Sequence, residues 1–386
     1  MIRVKPDVLI TIAWCVFGMV YRMLPFEISR FREITIVLIV IFSRKKLKFG
    51  NMHIVCIIFC IYYFVMSIFH EGLLGSLQPA ISMISWIVTL LIFTAYSKDK
   101  DDIKLIVNVL IYISVFVAIV FLLNNKLFSN EITVSLNSGV IVNRNSILYY
   151  VFPGYLFNLL KIERQKKKKI IDLLMLGVLL FACLQVNSRT MYLSLMFSTL
   201  CISNKQIYGL IKRQKIFGVF IFIVFVVASI IAIFTILPDE YISREFGNGM
   251  VSTDTGRIDL WKEAIGMVNN PLLGMGPSYY ENHVSYSFAD YGAHNIFVDL
   301  YVSVGIFGSI LFIWILSFFI NKNLHILSIV APAVLTFGVE AGRIFFPYML
   351  LIIAWFIIVG AKKENISIDD YLTNIFNDDR DRSPSE

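Results

Sequence analysis

Residues 237–296 read LPDEYISREFGNGMVSTDTGRIDLWKEAIGMVNNPLLGMGPSYYENHVSYSFADYGAHNI. This is the one long polar insertion in a chain that is otherwise apolar from end to end. Hydrophobic runs 216–237 and 296–320 flank it, and similar runs recur at 8–24, 26–43, 52–69, 77–96, 103–123, 146–160, 170–186, 189–203, 324–340 and 344–360. A helix of about 17–25 apolar residues crosses the roughly 30 Å of bilayer hydrocarbon. The pattern therefore predicts an all-α, polytopic membrane bundle of about twelve transmembrane helices with one long extracytoplasmic loop.

Composition agrees. The 386 residues are 58% hydrophobic with a mean hydropathy of +0.75, above the roughly 45–50% apolar content of soluble domains. The first run lacks a small-residue cleavage site, since Tyr21-Arg22-Met23-Leu24-Pro25 follows it, so it is expected to stay as an anchor. Lys and Arg collect in alternate loops. With a cytoplasmic N-terminus, 24 of the 34 basic residues fall on the inner side, as the positive-inside rule requires. Both termini are then cytoplasmic. Residues 1–361 form the membrane domain, including the outer loop 238–295, and 362–386 form a cytoplasmic tail expected to be partly disordered, with a short helix at Ile368–Phe376.

The net charge of +7 does not point to nucleic acid. The basic residues are spread over short inner loops, and the run Lys166–Lys169 reads as a stop-transfer and lipid-headgroup feature. The outer loop is itself acidic, with Arg244, Arg257 and Lys262 as its basic residues. All five cysteines fall in the hydrophobic runs, so the loop has no disulfide framework. No His or Cys cluster suggests a metal site, and no cofactor is expected.

Within the loop, Ile258, Trp261, Ala264, Ile265 and Val268 recur at helical spacing opposite Asp259, Lys262 and Glu263. This predicts an amphipathic interfacial helix over 256–268 with Trp261 as its aromatic anchor. Asn269-Asn270-Pro271 ends it, and Leu273-Gly274-Met275-Gly276-Pro277 is a turn. A nucleotide-binding glycine loop is disfavoured, because no strand precedes these glycines and a proline follows.

Several arginines stand on the outer side against the charge trend. Arg257 opens the amphipathic helix, where a cation opposes the helix dipole unless an anion is held beside it; otherwise it is a surface arginine reaching lipid phosphate. Arg189 lies in the turn Asn187-Ser188-Arg189-Thr190, and Arg343 in Glu340-Ala341-Gly342-Arg343, where a local pair with Glu340 is the simpler account. An arginine set in an apolar run is costly and is usually partnered or functional. His294 precedes the span at 296 and has the side chain best suited to take a proton near neutral pH, although interfacial histidines more often cap or pack. His283 is its rival in the same loop. Asn295 could orient a ring or a sugar hydroxyl, Asp299 could orient His294, and Asn143-Arg144-Asn145 opens the sixth span from outside.

In order, Asn187-Ser188-Arg189-Thr190, Gly256-Arg257-Ile258-Asp259-Leu260-Trp261, Asn270-Pro271-Leu272-Leu273-Gly274-Met275-Gly276 and His294-Asn295 resemble the O-antigen ligase and Wzy-type polysaccharide polymerase family. The resemblance is tightest over Ser188–Thr190 and Thr255–Gly308. It implies a GT-C-like, metal-independent glycosyltransferase of the bacterial cytoplasmic membrane, acting on oligosaccharides linked through diphosphate to undecaprenol. Arg189 and Arg257 would hold the diphosphate, His294 would be the base, and Arg343, Asn295, Trp261, Arg144 and His283 would complete substrate binding. Membrane lipids, a flippase and chain-length regulators are the implied partners. Polymerisation of repeat units is favoured over transfer of a finished chain to another acceptor. The reading from another class is a twelve-span transporter or flippase; the absence of an internal repeat argues against it.

Overall fold

The computed structural model describes residues 5–20, 31–43, 47–96, 98–123, 133–135, 141–143, 148–185, 189–204, 257–277, 295–339 and 345–377. The chain forms α1 (Pro6–Val20), α2 (Phe31–Ser43), α3 (Asn51–Thr94), α4 (Lys100–Leu123), α5 (Leu148–Arg164), α6 (Ile170–Gln185), α7 (Arg189–Ile202), α8 (Arg257–Gly266), α9 (Ile296–Ser317), α10 (Leu324–Val339), α11 (Phe345–Glu364) and α12 (Ile368–Phe376). Antiparallel β1 (Thr133–Ser135) and β2 (Ile141–Asn143) make a short ribbon, with Val134 opposite Val142, in an otherwise helical protein. The expected span at 216–237 lies outside the described residues; the other eleven hydrophobic runs all appear as helix. Among the described residues four helices, Asn51–His70, Lys100–Leu123, Ile296–Ser317 and Phe345–Glu364, are by themselves long and apolar enough to cross a membrane, and shorter apolar helices accompany them. Side chains such as Phe116, Leu174, Ile310, Ile313 and Trp314 stand exposed on the helix surfaces. On this scale, exposed apolar surface marks contact with a membrane rather than water.

Helix α3 covers 44 residues, which as a straight rod would span about 66 Å. Its two ends nevertheless meet. The Lys48 amide donates to the Ala95 carbonyl at 2.8 Å, and Leu47 pairs with Tyr96 as an antiparallel bridge. The helix therefore doubles back, and Gly72, Gly75 and Pro79 stand midway along the sequence, where helices bend. The expected spans 52–69 and 77–96 are the two arms of this hairpin. His53 closes its base: Nδ1 accepts from the Gly50 amide at 2.8 Å, and Nε2 lies 3.3 Å from Thr94 Oγ1.

Apolar burial cannot hold helices together in lipid, so close packing and hydrogen bonds must. Between α4 and α5, Gly154 lies so close to Ser114 that a Cβ would overlap the serine side chain, and the Gly154 amide donates to Ser114 Oγ at 3.0 Å. An aromatic series crosses the core from α3 through α9 and α10 to α11. Phe59, Phe312, Phe337 and Tyr348 follow one another, and Tyr348 stacks on Trp86 at 5.1 Å between ring centroids.

One end of the bundle is tied by charge. Lys98 Nζ and Asp7 Oδ2 form a buried ion pair at 2.8 Å. Lys5 donates to Asp99 at 2.8 Å and to Asp102 at 3.1 Å, while Lys363 reaches Asp99 at 3.1 Å. Lys5 and then Lys363 hold the Asp99 carboxyl below the usual carboxylate range. Their stabilisation is present at neutral pH and lost as pH falls through that depressed value. Nearby, Asp369 of α12 takes three partners: Arg164 at 3.1 Å, His325 Nδ1 at 3.1 Å and Asn323 Nδ2 at 2.9 Å. The predicted helix Ile368–Phe376 thus forms with those bounds, capped by Ser367, whose Oγ accepts from the Asp370 amide. It is not a loose tail. Tyr371, Leu372, Ile375 and Phe376 are buried, and Gly360 of α11 leaves room for the Tyr371 ring. Residues 378–386 lie outside the described residues.

Removing one member of a buried ion pair costs about 3–5 kcal/mol, whereas replacing both with apolar residues is often close to neutral. Asp7→Ala should therefore lower thermal stability in detergent more than the double change Asp7→Leu/Lys98→Met. Equal losses would show that the pair contributes through packing alone.

Candidate functional site

Chain direction decides which residues share the other end of the bundle. α5 finishes at the charged end with Arg164 and α6 leaves it at Ile170, so α5 begins and α6 ends at the opposite end. α7 therefore starts there, at Arg189. α9 runs towards Asn321–His325, which sit beside Asp369, so its N-cap Asn295 is at the opposite end as well. α11 finishes at Lys363 beside Asp99, so Phe345 begins it at that same end. The helix starts that carry or follow positions 144, 189, 294 and 343 are thus gathered at one end. Arg189 and Arg257 are the first residues of α7 and α8. His294, His283, Arg144 and Arg343 lie outside the described residues.

Asn295 has a definite local task. Its Oδ1 accepts from the amides of Phe297 at 2.9 Å and Val298 at 3.3 Å, which makes it the N-cap of α9. Asp299 in the first turn adds a favourable negative charge there. The residue beside His294 is therefore fixed by the helix it opens.

The amphipathic helix forms as α8, two residues shorter at the C-terminal end than its periodicity predicts. It rests on protein along its apolar stripe. Ala264 and Val302 are fully buried against each other's surroundings, with Trp261, Met267, Val268 and Val298 packed around them. Trp261 is half-buried in this contact with α9, while Ile265 on the neighbouring face is 48% exposed.

The glycine-rich turn proves to be more than a turn. α9 is broken at Gly305, which adopts φ 67° and ψ −167°. In an unbroken helix the Val302 and Ser303 carbonyls would accept from the amides of Ile306 and Phe307. Here they accept instead from Met275 at 2.7 Å and Gly276 at 3.0 Å. The released amides of Ile306 and Phe307 donate to the carbonyls of Pro271 at 2.9 Å and Leu272 at 3.4 Å. Tyr62 of α3 donates its hydroxyl to the Val304 carbonyl at 3.1 Å, and Ser309 Oγ donates to the Gly305 carbonyl at 2.9 Å. Backbone meets backbone so closely that neither glycine admits a side chain. A Cβ on Gly274 (φ 79°) would stand 2.6 Å from the Val304 and Gly305 nitrogens, and one on Gly305 would overlap the Leu272 carbonyl. Asn270 Oδ1 braces the segment by accepting from the Leu272 and Leu273 amides, each at 3.2 Å.

Gly305 lies nine residues into the 22-residue α9, about 14 Å along its axis. Residues 271–276 therefore re-enter the bundle to roughly half the depth of a spanning helix. Irregular backbone is tolerated at that depth only where protein satisfies its polar groups, and the exchanged hydrogen bonds do so. Sequence reading missed Gly305 and Tyr62. The pairing of Gly274-Met275-Gly276 with a glycine inside the next apolar helix was the available signal.

Among the described residues no group of His, Cys, Asp and Glu side chains could hold a metal ion. Of the described histidines, His53 and His325 are engaged in contacts at the charged end, away from the gathered helix starts.

The N-cap assigns Asn295 a measurable share of stability. Asn295→Asp should preserve the cap, whereas Asn295→Ala should cost about 1 kcal/mol, read as a drop in thermal stability. If Asn295→Ala and Asn295→Asp melt alike, the cap is not what holds this helix start.

No curated protein matches the chain. A family model described as O-antigen ligase matches residues 141–313. The matched stretch opens at the first residue of β2, contains Arg189, α8 and the re-entrant segment, and closes within α9. Over this region the chain is similar to the O-antigen ligase family, and its apolar helices are those of a multi-pass membrane protein.

Proposed function

We propose that this protein is a glycosyltransferase of the bacterial cytoplasmic membrane, GT-C-like in fold. In this reading it polymerises undecaprenyl-diphosphate-linked oligosaccharide repeat units into a surface polysaccharide (O-antigen, capsule or exopolysaccharide). The observation that carries the reading is the family match over 141–313, which encloses Arg144, Arg189, Arg257, Trp261, His283, His294 and Asn295. The gathering of helix starts at the end opposite the charged layer supports it. That layer ties Lys5 near the N-terminus to Lys363 near the C-terminus, in keeping with both termini in the cytoplasm and the site at the outer face.

The chemistry follows from the residue types. Arg189 and Arg257 are permanently charged forks suited to the two phosphates of the donor, and they stabilise the charge that grows on the leaving group without a metal ion. His294 removes the proton of the acceptor hydroxyl as its oxygen attacks the anomeric carbon. The bond from that carbon to the phosphate oxygen breaks, the electron pair leaves with undecaprenyl diphosphate, and the anomeric centre inverts. Arg343, Asn295, Trp261, Arg144 and His283 would contribute to binding sugar and phosphate. A flippase would deliver the donor, and a chain-length regulator would act beside the enzyme. The description of the matched family favours a second reading, in which the finished glycan is transferred to a lipid or protein acceptor.

The test uses purified protein in nanodiscs with undecaprenyl-diphosphate oligosaccharide and EDTA. Wild type should produce a ladder of products, and His294→Ala and Arg257→Ala should each lower the rate about 100-fold or more. Transfer only to an added acceptor lipid would replace polymerase by ligase. Passage of lipid-linked sugar across the bilayer without a new bond would overturn the enzyme reading.

A further inference from the structure

We propose that Gly274 and Gly305, with Tyr62, are positioning residues. The backbone clasp they permit fixes the start of α8, whose first residue is Arg257, relative to Asn295 at the start of α9, the residue that follows His294 in the chain, and glycosyl transfer depends on that fixed relation. The inference rests on the functional reading above for the reaction, but its geometry does not.

Two short tethers carry the argument. Arg257 begins α8, and only residues 267–270 separate the end of that helix from the clasp at Pro271–Gly276. His294 directly precedes Asn295, the N-cap of the α9 half that ends at Gly305. The clasp joins these two pieces by four backbone hydrogen bonds between 271–276 and 302–307. The Ala264–Val302 contact joins them a second time. From that contact, Arg257 lies seven residues back along α8 and Asn295 seven residues back along α9, about 10 Å of rise in each helix. The α8 and α9 starts thus stand at equal distances from a shared contact. The chain passes from Ala264 beside Val302 to Pro271 beside Ile306, so α8 and α9 run in the same direction and their starts lie on the same side of that contact. The φ > 0 conformation of both glycines and the close approach leave no room for alanine. Any side chain at position 274 must push the loop off the helix and so displace α8 relative to α9. Displacement of a reacting group by about 1 Å can cost about 100-fold in rate.

The experiment pairs a geometric readout with a kinetic one. For geometry, Arg257→Cys and His294→Cys are introduced together, and a short bifunctional thiol reagent is applied in nanodiscs. Cys15, Cys56, Cys183 and Cys201 are buried and Cys60 is half-buried, and the unsubstituted protein serves as the control for them. An intact clasp should give efficient intramolecular crosslinking, and adding Gly274→Ala should remove most of it. For kinetics, Gly274→Ala in the otherwise unaltered protein should lower kcat about 100-fold while KM for the lipid-linked donor changes less than about threefold. If Gly274→Ala does not fold, Tyr62→Phe, which removes only the hydroxyl on the Val304 carbonyl, carries the same test with a smaller loss in both readouts. Crosslinking that is absent with the clasp intact, or unchanged by both substitutions, would overturn the proposal. So would a rate loss matched by a general loss of thermal stability with crosslinking retained. Expected crosslinking in a protein that transfers no glycan would leave the clasp standing and sink the functional reading instead.

Discussion

A backbone amide or carbonyl without a partner in hydrocarbon costs several kcal/mol, and the contact of residues 271–276 with α9 is organised around that constraint. Gly305 interrupts α9 and frees four main-chain groups, two on each side of it. Residues 271–276 supply four of their own in return. Residues 271–276 therefore pack into the bundle beside α9 and exchange hydrogen bonds with it. Without the exchange the break would be intolerable at that depth, and α8 would be held to α9 by the Ala264–Val302 contact alone.

The two ends of the bundle have different characters. At the charged end, Asp7, Lys98, Asp99, Lys5 and Lys363 tie α1, α4 and α11, while Asp369 joins α12 to the end of α5 and the start of α10. Their charges are matched with one another. At the opposite end, α7 and α8 open with Arg189 and Arg257 as their first residues. A cation at a helix start opposes the dipole, so these positions would be stabilised by an anion held beside them.

Much of this was legible in the sequence. Apolar runs gave the helices because lipid exposure demands them on every face, and Ile368–Phe376 was readable from its short amphipathic repeat. The doubling back of α3 was legible as two apolar runs, 52–69 and 77–96. The docking of α12 was not legible, because Asp369 finds Arg164, His325 and Asn323 from distant parts of the chain. The same holds for Trp261. Its spacing revealed an apolar stripe but could not show whether lipid or α9 would cover it. Gly305 was hidden for a further reason, since glycine is common in membrane helices and periodicity carries no record of which backbone will approach it. Of the candidate site, Arg189, Arg257 and Asn295 fall where their motifs placed them, each at a helix start.

Hydrogen exchange of the intact protein in nanodiscs, read by mass spectrometry across 272–277, tests the re-entrant clasp most directly. Exchange protection reports the free energy of local opening. The structure predicts that the amides of Met275 and Gly276 exchange as slowly as those in the buried centre of α11, around Leu350–Ala354. Exchange as fast as in a solvent-exposed surface loop would contradict it, leaving α9 broken without a partner and the loop with no hold on the site.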